Sequence, residues 1–360
     1  MKARPSFPTR SAILGIGFLF FVLPVLEGRN LLAAPVAQTD AVCERGTDQT
    51  QRLRAFRWYN RPYIVHLPGS YDGTLPFPVV IDLHGGGGSA EGARAMTCPD
   101  GNLDDPGCLD RVADCNGFIT VYPNGTPDPT IPAMRTFNAG GGADGYVCVS
   151  GIACAARVDD ILYFTDLLDE LEKDYTIDPA RIYFTGLSNG AAMIQRLACE
   201  LSDRVAAIAP IAGGNQFAAV DTCSPSRPVP VLEIHGTADH CWPYDGGRQT
   251  CVGITPPMDA GEFVPIPTTV ASWASRNGCH PIPLTDNLLD VDPTDGTTVT
   301  RIRYQGCSQG GDVVHLRING GGHTWPGGSS VLPPGIVGNL SQQFNANTVM
   351  WEFFKAHPMM

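Results

Sequence analysis

The stretch Arg181–Gly186 (RIYFTG) has the composition of a buried strand, and it runs through Gly186-Leu187-Ser188-Asn189-Gly190 straight into a segment of helical spacing, Asn189–Leu201. A strand that turns into a helix within one residue crowds its own backbone, so small residues must flank the turn. The central side chain is then lifted above the carboxyl end of the strand. A strand followed at once by a helix belongs to a crossover unit, and crossover units build parallel sheets covered on both faces.

The rest of the chain repeats that logic. Pro78–Leu83 (PVVIDL), Gly117–Tyr122, Val205–Pro210 and Val229–Ile234 are continuous apolar runs of buried-strand type, and Tyr63–Leu67 is a shorter candidate. Asp159–Lys173 carries Ile161, Leu162, Phe164, Leu167, Leu168 and Leu171 at helical spacing. Thr268–Arg276 and Asn345–Ala356 are further helices. Thr298–Tyr304 and Val313–Ile318 alternate like strands after the turn signal Asp295-Gly296. No internal repeat or low-complexity linker interrupts the pattern, so residues 45–360 are expected to form one domain.

The first 37 residues are set apart. Lys2, Arg4 and Arg10 precede the uncharged apolar stretch Ala12–Leu26, and small residues follow at Ala33, Ala34 and Ala37. That is the layout of a secretory signal peptide, removed on export; the apolar run is short for a membrane span. An extracellular or periplasmic protein with no membrane contact after signal removal is expected. Twelve cysteines, an even number, suit an oxidising compartment. Proximity suggests Cys98–Cys108, Cys148–Cys154, Cys199–Cys223 and Cys241–Cys251. Cys279–Cys307 would tie a helix end to a strand end, which leaves Cys43–Cys115; sequence does not fix this connectivity. The net charge of −12 repels phosphate backbones, so nucleic acid is not expected as a partner.

Four motifs carry chemistry. Ser188, in strand-turn-helix context, is the candidate nucleophile. His84-Gly85-Gly86-Gly87-Gly88 follows the strand PVVIDL; a glycine-rich loop there can bring the Gly86 N–H, together with the N–H of Asn189, onto a developing oxyanion. No Gly-Lys-Ser/Thr follows, so it is not a phosphate loop. His84 is read as holding the loop rather than as a base. Ile234-His235-Gly236-Thr237-Ala238-Asp239 ends the strand VPVLEI and offers Asp239 to orient an imidazole. His235 is read as a packed residue, and His240 as a neighbour able to modulate Asp239. Gly320-Gly321-Gly322-His323-Thr324-Trp325-Pro326-Gly327-Gly328 offers His323 as the base on a pliant loop. The order Ser188, Asp239, His323 is that of an α/β-hydrolase. Trp242 and Trp325 flank acid and base and are candidate walls for an acyl or aromatic group. Asp100-Gly101-Asn102-Leu103-Asp104-Asp105 opens like a calcium loop but lacks the later glycine and glutamate, so no metal is expected.

The stretches VVIDLHGGGGSA, VYPNG, VDDILYF, IDPARIYFTGLSNGAAM, LACELSDRVAAIAPIAG, HGTADHCWPYDG and GGGHTWPGG resemble the secreted polyhydroxybutyrate depolymerase-like and feruloyl esterase-like enzymes. The resemblance spans roughly residues 60–355. It implies an α/β-hydrolase fold, mostly parallel with helices on both faces. It also implies a cofactor-independent triad, with the nucleophile at Ser188, the acid at Asp239 and the base at His323. Residues 90–115, cysteine-rich and acidic, do not match it, and Met134-Arg135-Thr136-Phe137 stands where the family often has a tryptophan. The expected activity is hydrolysis of carboxylic esters through an acyl-enzyme. The substrate would be a feruloylated or acetylated polysaccharide, or a hydroxyalkanoate polyester or oligomer. A non-catalytic binding protein of the same fold, and a serine peptidase, are the alternatives.

Overall fold

The computed structural model describes Met1 and residues 43–140, 151–216, 223–247, 263–330 and 332–360. The expected signal segment lies outside them. The strands are β1 (Thr47–Gln51), β2 (Tyr63–Leu67), β3 (Phe77–Leu83), β4 (Ile119–Pro123), β5 (Thr126–Pro127), β6 (Arg135–Thr136), β7 (Ile177–Leu187), β8 (Ala207–Ile211), β9 (Val231–Gly236), β10 (Leu284–Asn287), β11 (Thr298–Arg303) and β12 (Val313–Asn319). Ten of them form one sheet in the order β1-β2-β4-β3-β7-β8-β9-β12-β11-β10, and β5 pairs with β6 in a small hairpin. The six from β4 to β12 run parallel; the strands at either edge are antiparallel.

The helices are α1 (Ala90–Met96), α2 (Leu109–Asn116), α3 (Gly151–Ala155), α4 (Asp160–Asp174), α5 (Asn189–Glu200), α6 (Ile266–Arg276), α7 (Pro334–Val337) and α8 (Ala346–Lys355). Alternation along the strands assigns them to faces. Val79 and Ile81 of β3 and Ile182 and Phe184 of β7 share a core with Phe164 and Leu167 of α4, Ile194 of α5 and Trp273 of α6. The intervening Tyr183 stacks on Phe354 of α8 with ring centroids 4.8 Å apart, and Phe118 stacks on Trp351 of the same helix. Helices therefore cover both faces of a mostly parallel sheet, and the arrangement is the α/β-hydrolase fold. Asp159 starts α4 by accepting from the N–H of Leu162 at 2.9 Å, and Asn345 starts α8 by accepting from that of Thr348.

The segment between Ala90 and Cys115 holds two helices that no apolar stripe announces, α1 and α2. They are joined by the Cys98–Cys108 disulfide and by Arg94 Nε donating to Asp110 at 2.5 Å. Cys43–Cys115, Cys199–Cys223 and Cys279–Cys307 are paired as expected. Cys154 and Cys241 are also disulfide-bonded; their expected partners, Cys148 and Cys251, lie outside the described residues. No helix among the described residues is long and apolar enough to cross a membrane. In the acidic loop, Asp104 pairs with Arg45 and Asp105 accepts from the N–H of Gly107.

The chain leaves β3 toward β4 on one side and leaves the adjacent β7 toward β8 on the other, so the connections diverge between these two strands. A crevice opens at the carboxyl ends of such strands. The loops after β3, β7, β9 and β12 all emerge at that edge.

Candidate active site

Ser188 stands between β7 and α5 with φ 57° and ψ −117°, a left-handed conformation costly for a residue with a Cβ. The sheet and the helix hold it there. The Ser188 N–H donates to Ile211 O at 3.0 Å, and its carbonyl accepts from the N–H of Ala192 at 2.9 Å. Gly190 explains the motif's last glycine. A Cβ there would lie 2.1 Å from Leu83 O, so α5 packs against the end of β3 with no room for a side chain.

Asp239 follows β9 and is buried, as is His323 on the loop after β12. His323 Nδ1 donates to Asp239 Oδ2 at 2.7 Å. Asp239 Oδ1 accepts from the N–H groups of Cys241 and Trp242, both at 2.8 Å. Burial alone would raise the Asp239 carboxyl. The facing imidazoles of His323 and His235 outweigh it and hold the group well below the usual carboxylate range. With Nδ1 committed to Asp239, His323 has Nε2 left for a second partner. His323 and Ser188 open onto the same cavity. No hydrogen bond joins them in this structure, and serine–histidine pairs are often long until substrate closes on them. His240 is exposed.

The glycine-rich loop is fixed from below. His84 Nδ1 donates to Gly85 O at 2.7 Å and its Nε2 accepts from the N–H of Gly125 at 2.9 Å. Both ring nitrogens are thus used in the neutral form, and burial lowers the group to about 4. The N–H groups of Gly87 and Gly88 are taken by Arg135 O and Gly85 O. That of Gly86 has no acceptor among the described residues, and a Cβ built on Gly86 would lie 3.6 Å from Asn189 Cβ. Sequence reasoning used only the backbone of Asn189. Its side chain has its own task, with Oδ1 accepting from the Phe137 N–H at 2.7 Å and Nδ2 donating to Phe137 O at 2.9 Å. This bidentate contact ties the end of the β5–β6 hairpin to the start of α5.

The cavity in front of Ser188 has a volume of about 570 Å³. Met96, Met134, Ile152, Trp242, Phe263 and Leu332 give it apolar walls. Trp242 is among the lining residues. Trp325 is not, and the expectation of a substrate wall there is corrected. Its side chain is fully buried behind the His323 loop, with Nε1 donating to Asn347 Oδ1 of α8 at 3.1 Å. Two glycines, Gly327 and Gly328, let the loop fold back over the indole, which makes Trp325 a packing anchor. Two groups stand behind the site: His235, which the sequence offers as a packed residue, and Glu233, which it does not single out. The signal available for Glu233 was a lone acid inside the apolar run VPVLEI.

No family profile matches the chain. Among curated proteins it is 28% identical over 307 residues to a putative esterase, NocK, of Nocardia uniformis subsp. tsuyamanensis, covering 84% of this chain and 79% of that one. It is 29% identical over 265 residues to feruloyl esterase B of Piromyces equi, covering 73% of this chain and 42% of that longer protein. It is 27% identical to feruloyl esterase D of Neurospora crassa, covering 82% and 81%. Among solved structures, an acetyl xylan esterase from Aspergillus awamori superposes with TM-score 0.48 at 14% identity, covering 78% of this chain and 94% of that one. Over most of its domain the chain is similar to feruloyl esterases, and with the strand order described above it is a serine carboxylic-ester hydrolase of α/β-hydrolase fold.

Proposed function

We propose that the chain is an exported esterase that removes feruloyl or acetyl groups from plant polysaccharides through an acyl-enzyme on Ser188. The observation that carries the reading is that Ser188 and His323 line one apolar-walled cavity, with Asp239 hydrogen-bonded to His323. In the reaction, His323 Nε2 takes the Ser188 proton as Oγ attacks the ester carbonyl. Asp239 keeps the other imidazole proton on Nδ1 and stabilises the imidazolium. The N–H groups of Gly86 and Asn189 receive the oxyanion. The sugar alcohol leaves with the proton from His323, and water returns the enzyme by the same steps. The cavity lies within the range of about 300–1,000 Å³ that encloses small ligands, and its apolar walls suit an aromatic acyl group better than a charged one. The names of the relatives point to feruloyl and acetylxylan esters. The four described disulfides fit an oxidising compartment.

Hydrolysis of methyl ferulate, p-nitrophenyl acetate, p-nitrophenyl butyrate and a hydroxybutyrate oligomer by the enzyme and its Ser188→Ala variant tests the proposal. Activity on the first two that vanishes in the variant is expected. Preference for the oligomer would move the substrate to polyesters, and activity surviving in the variant would remove Ser188 as nucleophile.

A further inference from the structure

Behind Asp239 lies a second acid and a second histidine. Glu233 and His235 project from β9 two residues apart, and both are fully buried. His235 Nε2 stands 2.9 Å from Trp242 O and 3.3 Å from Asp239 Oδ2. Both of those are acceptors, so Nε2 must carry a proton. His235 Nδ1 stands 3.5 Å from Glu233 Oε1 and has no hydrogen bond to any other group. A proton on Nδ1 facing the Glu233 carboxylate would make the dyad neutral as a whole, an imidazolium balanced by a carboxylate. With that proton on the ring, a cation faces the triad acid from the side opposite His323.

The remaining surroundings do not supply that charge. His315 of β12 is held neutral by burial, with Nδ1 donating to Glu233 O and Nε2 accepting from Tyr244 OH. Arg317, the register partner of His235, donates to Asn319 and Thr300. From α5, Gln195 Nε2 donates to Glu233 Oε2 at 3.2 Å while its Oε1 accepts from Trp273 Nε1 of α6. The second carboxylate oxygen of Glu233 is thus satisfied without a second cation.

We infer that His235, charge-balanced by Glu233, is a positioning residue: it pins Asp239 Oδ2 and, as an imidazolium, weakens the pull of Asp239 on a proton held by His323. The catalytic base then stays free of its proton in more acidic solution than it would beside an unopposed carboxylate. The inference rests on the triad reading above. Burial disfavours a charged ring at His235, but Asp239 and Glu233 outweigh it and raise the group.

The test is the pH dependence of kcat/KM on p-nitrophenyl acetate for wild type, Glu233→Gln and His235→Gln. In Glu233→Gln the amide keeps the shape, donates to Nδ1 and leaves the ring neutral. Both variants are expected to move the acid limb upward by about one pH unit, with KM little changed. An unmoved limb with a lowered thermal midpoint would make the dyad merely structural and overturn the inference. If neither variant folds, histidine ¹⁵N spectra of the wild type decide it: an imidazolium at His235 at neutral pH is expected, and a neutral ring there overturns the inference. Ser188→Ala run in parallel keeps the two readings separate, because residual activity in that variant refutes the triad whatever the dyad does.

Discussion

Replacing Asp239 with asparagine changes one atom, and the structure dictates which way the new amide must face. Oδ1 is held by two N–H groups, from Cys241 and Trp242, both at 2.8 Å. The asparagine oxygen keeps those two bonds, since an NH₂ group there would meet two donors. The NH₂ must then occupy the Oδ2 position, 2.7 Å from His323 Nδ1. His323 can accept that donor only as the tautomer with its proton on Nε2, where it has no lone pair to receive the Ser188 proton. It also loses the anion that would stabilise its charged form. An error of tautomer at such a site costs about four decades in kcat, equivalent to about 5.5 kcal/mol of transition-state stabilisation. The same NH₂ meets the N–H of His235, so a loss of about 1–2 kcal/mol of stability is expected as well. Steady-state hydrolysis of p-nitrophenyl acetate, with thermal unfolding as a check on folding, reads both. A folded Asp239→Asn enzyme with kcat within tenfold of wild type would refute the tautomer argument.

Gly190→Ala should lower stability by about 3 kcal/mol, because its Cβ meets the backbone oxygens of Leu83 and His84 rather than a yielding side chain; the urea midpoint measures it. Trp325→Phe should lower the thermal midpoint through the lost bond to Asn347 while leaving KM for methyl ferulate unchanged. His66 is hydrogen-bonded to Asp48 and Asp114, which overcome the cost of burial and raise it to about 9 from 6.5. A raised histidine adds stability in full below its unfolded value and loses it as pH rises through the folded one. Relative to His66→Gln, wild type should therefore be favoured by about 3 kcal/mol at pH 6 and by little at pH 10, as read by chemical denaturation at the two values.

The central strands and the order of the site residues were legible because burial on both faces leaves unbroken apolar runs, and because the elbow demands glycines at fixed places. The edges were not. β1 (TDQTQ) and β10 (LTDN) are polar strands half open to solvent, so they carry no alternation to read. α1 and α2 escaped for a different reason. Where α2 would show apolar residues it buries Asp110 and Asp114, which bind Arg94, Thr120, Tyr122, Arg111 and His66. A polar network inside a helix face erases the stripe that periodicity detects. Trp325 was misplaced because nearness in sequence to His323 says nothing about the side of the loop on which an indole packs.

The β5–β6 hairpin is fastened at both ends, by His84 to Gly125 on entry and by Asn189 to Phe137 on exit. Between those fasteners the chain makes part of the cavity wall, including Met134. The segment is thus a cassette: its middle can be exchanged for residues of another size or polarity while both anchors, and with them the elbow and the glycine-rich loop, keep their places. In a lineage under pressure to accept new acyl groups, variation between residues 128 and 134 would cost the chemistry least, and a library built there should change substrate preference more readily than one built at the triad.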